Sequence, residues 1–426
     1  VWLTASDPGD GDSFGISVAI SGDTAIVGSP FDDAVGHRSG SAYVFTRSGT
    51  AWTQQTKLNA ADAAGGELFG VSVALSSDTA IIGASGGSGS AYVFTRSGTT
   101  WTQQAKLTAA DAAGGDGFGN FVALSGDTTI VGAYVDDGAG GSDQGSAYVF
   151  TRSGTTWTQQ AKLTAEDGAA RDRFGCSVAI DGATAIVGAY ADDDAGSGSG
   201  SAYVFTRSGT TWTQQTKLTA ADAAASNSFG FSVAFSGDTA IVGAQSGYND
   251  AGSYSGSAYV FTHSGTTWTQ QAKLTAADGA AGDRFGASVA LSGDTAIVGA
   301  WQDDDAGSYS GSAYVFSRLG TTWTQQAKLT AADAAPFDWF GGSVAIDGDT
   351  AIVGAVRHDV GGNDFDLNGD GGRNGGDLGI LLGAWGQPGA TDLNADGVTN
   401  GADLGLLLGN WGQGEGSAFI FEQVGN

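Results

Sequence analysis

FGCSVAI (Phe174 to Ile180), TAIVGA (Thr184 to Ala189), SAYVF (Ser201 to Phe205) and WTQQTKL (Trp212 to Leu218) follow one another within a single stretch of chain. Each is short and rich in β-branched or aromatic residues, with the alternation expected of strands. A turn such as Ser21-Gly22-Asp23-Thr24 joins the first two segments of a unit, and glycine there can take a positive φ in a tight hairpin. Arg47-Ser48-Gly49-Thr50-Ala51 gives the same signal between the third and fourth segments. Four antiparallel strands in chain order make one meander.

The pattern repeats. Phe-Gly pairs begin at Phe14, Phe69, Phe118, Phe174, Phe229, Phe285 and Phe340, 49 residues apart between Phe69 and Phe118 and 55 or 56 apart elsewhere. A lone four-stranded sheet cannot bury both of its faces, so neighbouring units must pack face to face, and seven arranged radially form a propeller. Small residues such as Ser17 and Ala19 suit crowding of first strands at an axis; Gln54, Gln55 and Lys57 on the fourth strand suit an exposed outer edge. The ends of the repeat argue against an open solenoid. Val1 to Asp7 reads as the end of a fourth strand, and the last unit stops after a third, Ser417 to Phe421. Pairing the two closes the ring and removes two exposed edges. The predicted fold is therefore all-β: a seven-bladed β-propeller of four-stranded antiparallel blades, closed by the N-terminal strand.

Composition agrees. The chain has 73 glycines and four prolines, favouring turns over helices. Its net charge of −28 comes almost entirely from aspartate and would repel nucleic acid and anionic lipid, so neither is an expected partner. No run reaches the roughly 20 apolar residues that span a bilayer. The chain opens at Val1 without methionine or a signal sequence, which reads as a processed or trimmed chain. The one cysteine, Cys176, excludes an intramolecular disulfide and falls in a strand, where a buried inert thiol is expected.

The segments Phe-Gly-x-Ser-Val-Ala and Ile-Val-Gly-Ala resemble the FG-GAP repeats of integrin α-subunit propellers and their bacterial relatives, and the resemblance covers all seven units. It implies a secreted or surface-displayed ligand-binding scaffold. In that family a calcium loop often joins the first two strands of a blade. Here the position holds only Ser-Gly-Asp-Thr or a close variant, so calcium is not expected at these hairpins.

The last unit departs from the rest: about 60 residues separate Ala355 from Ser417. Residues 356–412 are read as an insert between the second and third strands of blade seven, with 1–355 and 413–426 forming the propeller. Two loops in the insert place oxygen ligands at positions 1, 3, 5, 9 and 12 with glycine at 6, the arrangement an EF-hand-like calcium loop requires. The first set is Asp366, Asn368, Asp370, Asn374 and Asp377, with the backbone carbonyl of Gly372; the second is Asp392, Asn394, Asp396, Asn400 and Asp403, with that of Val398. Two bound Ca2+ ions are expected. Apolar stretches from Leu378 to Trp385 and Leu404 to Trp411 follow the loops and are predicted to be short helices. A loop followed by one helix, with Asp at position 12, resembles a type I dockerin duplication. That resemblance implies docking to a cohesin-like protein, although Gly375-Gly376 and Gly401-Ala402 stand where such modules often present Ser or Thr recognition residues.

Acidic loops between second and third strands, at Asp32-Asp33, Asp136-Asp137, Asp192 to Asp194 and Asp303 to Asp305, read as solvated turns before cation sites. Tryptophans 52, 101, 157, 212, 268 and 323 recur in one frame and read as blade packing, whereas Trp301 and Trp339 lie in loops and are contact candidates for carbohydrate or protein. The histidines, His37, His263 and His358, occupy unrelated positions, and no nucleophile motif or distinguished carboxylate pair stands out, so a non-enzyme is expected. The function that follows is an extracellular, calcium-binding, non-catalytic binding or adhesion scaffold, its partner a protein (a cohesin-like module or other copies of itself) or an extracellular glycan. Near-identical repeats favour a self-assembling structural protein of a surface layer, matrix or filament as the alternative, and a carbohydrate-active enzyme stands third.

Overall fold

The computed structural model describes residues 1–9, 11–247, 249, 251–358 and 416–422. Within them the chain forms seven four-stranded antiparallel sheets and no helix. Blade four shows the design: Ser177–Asp181, Thr184–Ala189, Ser201–Ser208 and Thr211–Leu218 hydrogen-bond in sequence order. The second strand of every blade is buried on nearly its whole length, which is why TAIVGA is apolar without alternation. The fourth strand is exposed on one face only, and a bulge against the third strand, between Val204 and Phe205 in blade four, adjusts its twist.

Ring closure follows the expected register. Trp2–Leu3 is the outer strand of blade seven, with Trp2 opposite Phe419 and Leu3 opposite Ala418, and the sheet continues inward through Thr350–Ala355 to Phe340–Asp347. Seven apolar clusters fill the seven junctions between blades. The one that closes the ring joins Leu3, Ile352, Ala418 and Ile420 of blade seven to Phe14, Tyr43 and Trp52 of blade one. Each Phe-Gly phenylalanine is fully buried and meets an aromatic ring of its own third strand at a steep angle, a tyrosine in blades one to six, as Phe14 meets Tyr43 with ring centroids 5.4 Å apart, and Phe419 in blade seven. Burying such a ring is worth about 2–3 kcal/mol, and the design repeats it in every blade.

At the axis, small residues let backbones touch. Ser17, Ser177, Ser232, Ser288 and Ser343 each donate their hydroxyl to the Phe-Gly glycine carbonyl of the next blade, at 2.8–2.9 Å, and the Ser343 bond to Gly15 crosses the ring closure. A Cβ on Gly354 would lie 2.0 Å from the Gly15 carbonyl oxygen, so only glycine fits there. The first strands line a central channel with one valine from each blade, from Val18 to Val344.

Hairpins within the blades lie on one face of the disc; the loops between second and third strands and the connections between blades lie on the other, the loop face. The predicted insert, including its helices and all twelve calcium ligands, falls outside the described residues except at its root, where Val356 and His358 are buried against the propeller. No helix among the described residues is long and apolar enough to cross a membrane.

Candidate functional site

The polar residues that recur in blades one to six prove to join one blade to the next. The first glutamine of each Gln-Gln pair accepts a backbone amide from the loop after the preceding blade's fourth strand, as Gln103 does from Ala61 at 2.8 Å and Gln214 from Glu166 at 3.0 Å. The second accepts the indole N–H of the following blade's tryptophan: Gln55 from Trp101, Gln104 from Trp157, Gln160 from Trp212, Gln215 from Trp268 and Gln271 from Trp323, at 2.8–3.2 Å. Trp52, which faces the two-residue outer strand of blade seven, has no partner for its Nε1. Arginines lie over these tryptophans and reach a threonine of the preceding blade, as Arg96 does over Trp101 and to Thr24. The glutamines expected at a free outer edge are therefore half-buried joints, and the recurrent tryptophans are packing residues as expected.

The acidic loops also differ from solvated turns. Asp32, Asp136, Asp192 and Asp303, the first aspartate of each run, are at most 5% exposed. Asp192 accepts hydrogen bonds from Tyr203 Oη at 2.8 Å, Ser201 Oγ at 3.2 Å and Lys217 Nζ at 2.8 Å. The lysine comes from the fourth strand of the same blade and also pairs with Asp167 at 2.9 Å. Burial raises the Tyr203 pKa above its ordinary value, and the Asp192 charge adds to it. In blade three the Lys162 ammonium hydrogen-bonds Asp111 and holds that carboxyl below the usual range, against the smaller opposing effect of burial. Only the later aspartates of each run, such as Asp33 and Asp193, face solvent. Among the described residues, no three His, Cys, Asp or Glu side chains are grouped to hold a metal ion.

With these roles assigned, the differences between blades become informative. Three positions around the loop-face mouth of the channel vary freely: the residue before Phe-Gly, the residue after it, and the residue after the second strand's Gly-Ala or Gly-Ser. In blades five to seven they supply an apolar pocket of about 270 Å3, walled by Phe231, Gln245, Ala287, Trp301, Trp339, Val356 and, across the mouth, Ile16. The two loop tryptophans singled out from sequence meet here, 5.0 Å between ring centroids and inclined at 70°. Gly342 leaves the space that Phe231 fills in blade five. Trp339 Nε1 is buried without a hydrogen-bond partner among the described residues.

Around the pocket, Arg357 stacks on Trp339 at 3.8 Å, and Tyr309 bridges Trp301 and Phe337 at 6.4 and 5.7 Å. Arg284 covers Tyr254 at 4.5 Å and donates to Gln302 and Ser246, both at 2.9 Å. Tyr254 and Tyr309 are about 40% exposed, an unusual extent for large aromatic side chains. Neither Arg284 nor Arg357 meets a carboxylate among the described residues, although the chain carries a net charge of −28. Such a pocket can bind an apolar group and orient it through few polar contacts. Sequence reasoning missed Phe231, Arg284 and Arg357; the signal that finds them is variation at a fixed place in a nearly identical repeat.

The remaining candidates stand apart. His37 is exposed beside Asp33, His263 stacks on Trp268 at 5.0 Å in the place of the usual arginine, and His358 is buried 3.0 Å from Asp338. Cys176 is buried, donates to the Gly230 carbonyl at 3.4 Å, and has a pKa pushed up by burial to about 12, as an inert thiol requires.

No curated protein matches the chain. Among solved structures, the crystal structure of Saccharomyces cerevisiae Sqt1 aligns over 84% of this chain and 82% of that one, at 11% identity and a TM-score of 0.49. The model of the FG-GAP repeat matches seven stretches, residues 1–45, 52–94, 101–150, 157–205, 212–261, 268–316 and 323–369, one for each blade. The chain therefore belongs to the FG-GAP repeat family.

Proposed function

We propose that this propeller is an extracellular, calcium-binding, non-catalytic binding or adhesion scaffold whose ligand, a protein or a glycan, docks at the loop-face mouth of the channel. One observation carries the reading: blades otherwise nearly identical differ at the three positions that build the mouth, and in blades five to seven those differences open an aromatic pocket. A uniform packing role would favour the same residue in every blade. Asp366 to Asp377 and Asp392 to Asp403 bind two calcium ions and so fold the insert of blade seven, which offers a second contact surface for a cohesin-like module or another protein. Secretion or display at the cell surface fits the calcium, on the order of millimolar, that such loops meet outside cells.

The test is a panel of glycans and matrix proteins screened with calcium and with chelator, alongside calorimetric titration of calcium. Binding by the propeller and two calcium equivalents, lost on Asp366→Asn with Asp392→Asn, are expected. No ligand under any calcium condition contradicts the scaffold role, and no calcium uptake contradicts the role of the insert.

A further inference from the structure

Blade five keeps the donors that hold a buried carboxylate in its neighbours and lacks the carboxylate. The register is fixed by the backbone. The carbonyls of Asp32, Asp136, Asp192 and Asp303 accept the amides of Gly40, Gly145, Gly200 and Gly311 at 2.8–2.9 Å, and in blade five Gly247 takes that role with Gly256, at 3.2 Å. Gly247 therefore stands where four blades have aspartate. The donors remain: Lys273 matches Lys57, Lys217 and Lys328, Tyr259 matches their tyrosines, and Ser257 begins the third strand as Ser41 and Ser201 do.

Their partners are reduced. Among the described residues Lys273 Nζ keeps a single carboxylate, Asp222 at 2.6 Å, where Lys217 and Lys328 have three each. Ser257 is 1% exposed and its Oγ has no partner among the described residues, a state it shares with Ser312 of blade six, which keeps its aspartate. A second carboxylate is missing as well: Asn227 stands where Asp172 and Asp283 stand in the blades on either side, and its buried Oδ1 has no partner among the described residues. Asn249 does not compensate, because its amide is engaged by Ala251 N and Gly256 O.

Space is present too. A Cβ on Gly247 would meet the Ala244 carbonyl oxygen at 3.2 Å, a tight contact that a shift of a few tenths of an ångström relieves, and no side-chain atom nearer than Asn227 Oδ1 at 3.9 Å; the φ of Gly247 lies outside the left-handed region. Lys273 also lines an open cavity of about 580 Å3, which gives a solute access to its ammonium. Blade two shows the contrast: Gly86 occupies the same register, but a Cβ there would lie 1.9 Å from the Gly66 carbonyl oxygen, so that place is closed.

We propose that blade five is a receptor for a carboxylate supplied from outside the chain, which Lys273, Tyr259 and Ser257 bind as their counterparts bind Asp192. Charge-assisted hydrogen bonds from a half-buried lysine favour an anion of this size. The chemistry fits an aspartate or glutamate side chain of a partner protein and equally a free monocarboxylate, and the test separates them. Thermal unfolding of the full chain is followed in sodium acetate and in acetyl-Gly-Asp-Gly-amide, each against sodium chloride of equal ionic strength. Both carboxylates are expected to raise the midpoint above the chloride control. A response to the peptide at tenfold lower concentration than acetate assigns the source to a protein side chain; an equal response assigns it to a free carboxylate.

Gly247→Asp should raise the midpoint by itself and abolish the response, because it restores the internal ligand. Lys273→Met should weaken the response at least tenfold in concentration. Trp301→Ala, which alters the channel mouth, should leave it intact, so this site and the mouth stand or fall separately. No carboxylate response, or one that survives in Gly247→Asp, overturns the proposal.

Discussion

Replacing Asp192 with alanine tests the reading of the acidic loops as buried joints. Its carboxylate accepts from Tyr203, Ser201, Lys217 and the Asp194 amide, and both Tyr203 and Ser201 are fully buried. A buried hydroxyl left without an acceptor costs about 1–3 kcal/mol, and breaking a buried ion pair about 3–5 kcal/mol. Lys217 keeps Asp167 at 2.9 Å and also Asp194, so its charge is not stranded, and the lower end of the range applies. Asp192→Ala should therefore lose about 3 kcal/mol. Asp192→Asn, which preserves an acceptor for Tyr203 but not the charge, should lose about half as much. Asp193→Ala next to it, exposed and bonded only to the Gly198 amide through its side chain, should stay within about 1 kcal/mol of the parent. Guanidinium unfolding followed by tryptophan fluorescence measures all three. Equal losses for Asp192→Ala and Asp193→Ala, or a loss under about 1 kcal/mol for the first, refute the reasoning.

Two further outcomes follow from the junctions between blades. Gln271→Ala strips the acceptor from Trp323 Nε1, 2.8 Å away, and should cost about 1–2 kcal/mol; made in a Trp323→Phe background it should cost little, and a double-mutant cycle reads the coupling. Asp283 is raised from 3.8 to about 6 by burial, with the Asp303 charge adding to it, so the folded chain holds this proton more tightly than the unfolded one. Its contribution to stability is fully present below pH 3.8 and is lost as pH rises through 6. Asp283→Asn should therefore match the parent near pH 4 and exceed it by on the order of 1–2 kcal/mol at pH 7.5, as denaturation at the two pH values will show.

The fold was legible because each blade repeats a strand signal strong enough to read alone, and because Val1 to Asp7 and Ser417 to Phe421 complete one sheet between them. The joints were not. Polar Gln54 and Gln55 on a fourth strand read as an exposed outer edge, but in a propeller that edge also meets the neighbouring blade, a relation absent from local sequence. Asp192 reads as a solvated turn residue for the same reason: its lysine is 25 residues further along the chain and reaches it only across the folded sheet. At the mouth, Trp301 and Trp339 were identifiable as aromatics outside the packing frame, while Arg284 and Arg357 gained meaning only from what surrounds them. The calcium ligands of the insert rest on spacing alone.

The measurement closest to the central claim compares two variants on one panel of glycans and matrix proteins. Trp301→Ala with Trp339→Ala removes the walls of the mouth, and Leu319→Ser removes the most exposed large apolar side chain among the described residues, 88% exposed on the hairpin face. The account predicts that the double variant loses at least tenfold in affinity for whatever the parent binds, while Leu319→Ser binds as the parent does. Unchanged binding by the double variant, or loss confined to Leu319→Ser, would contradict it.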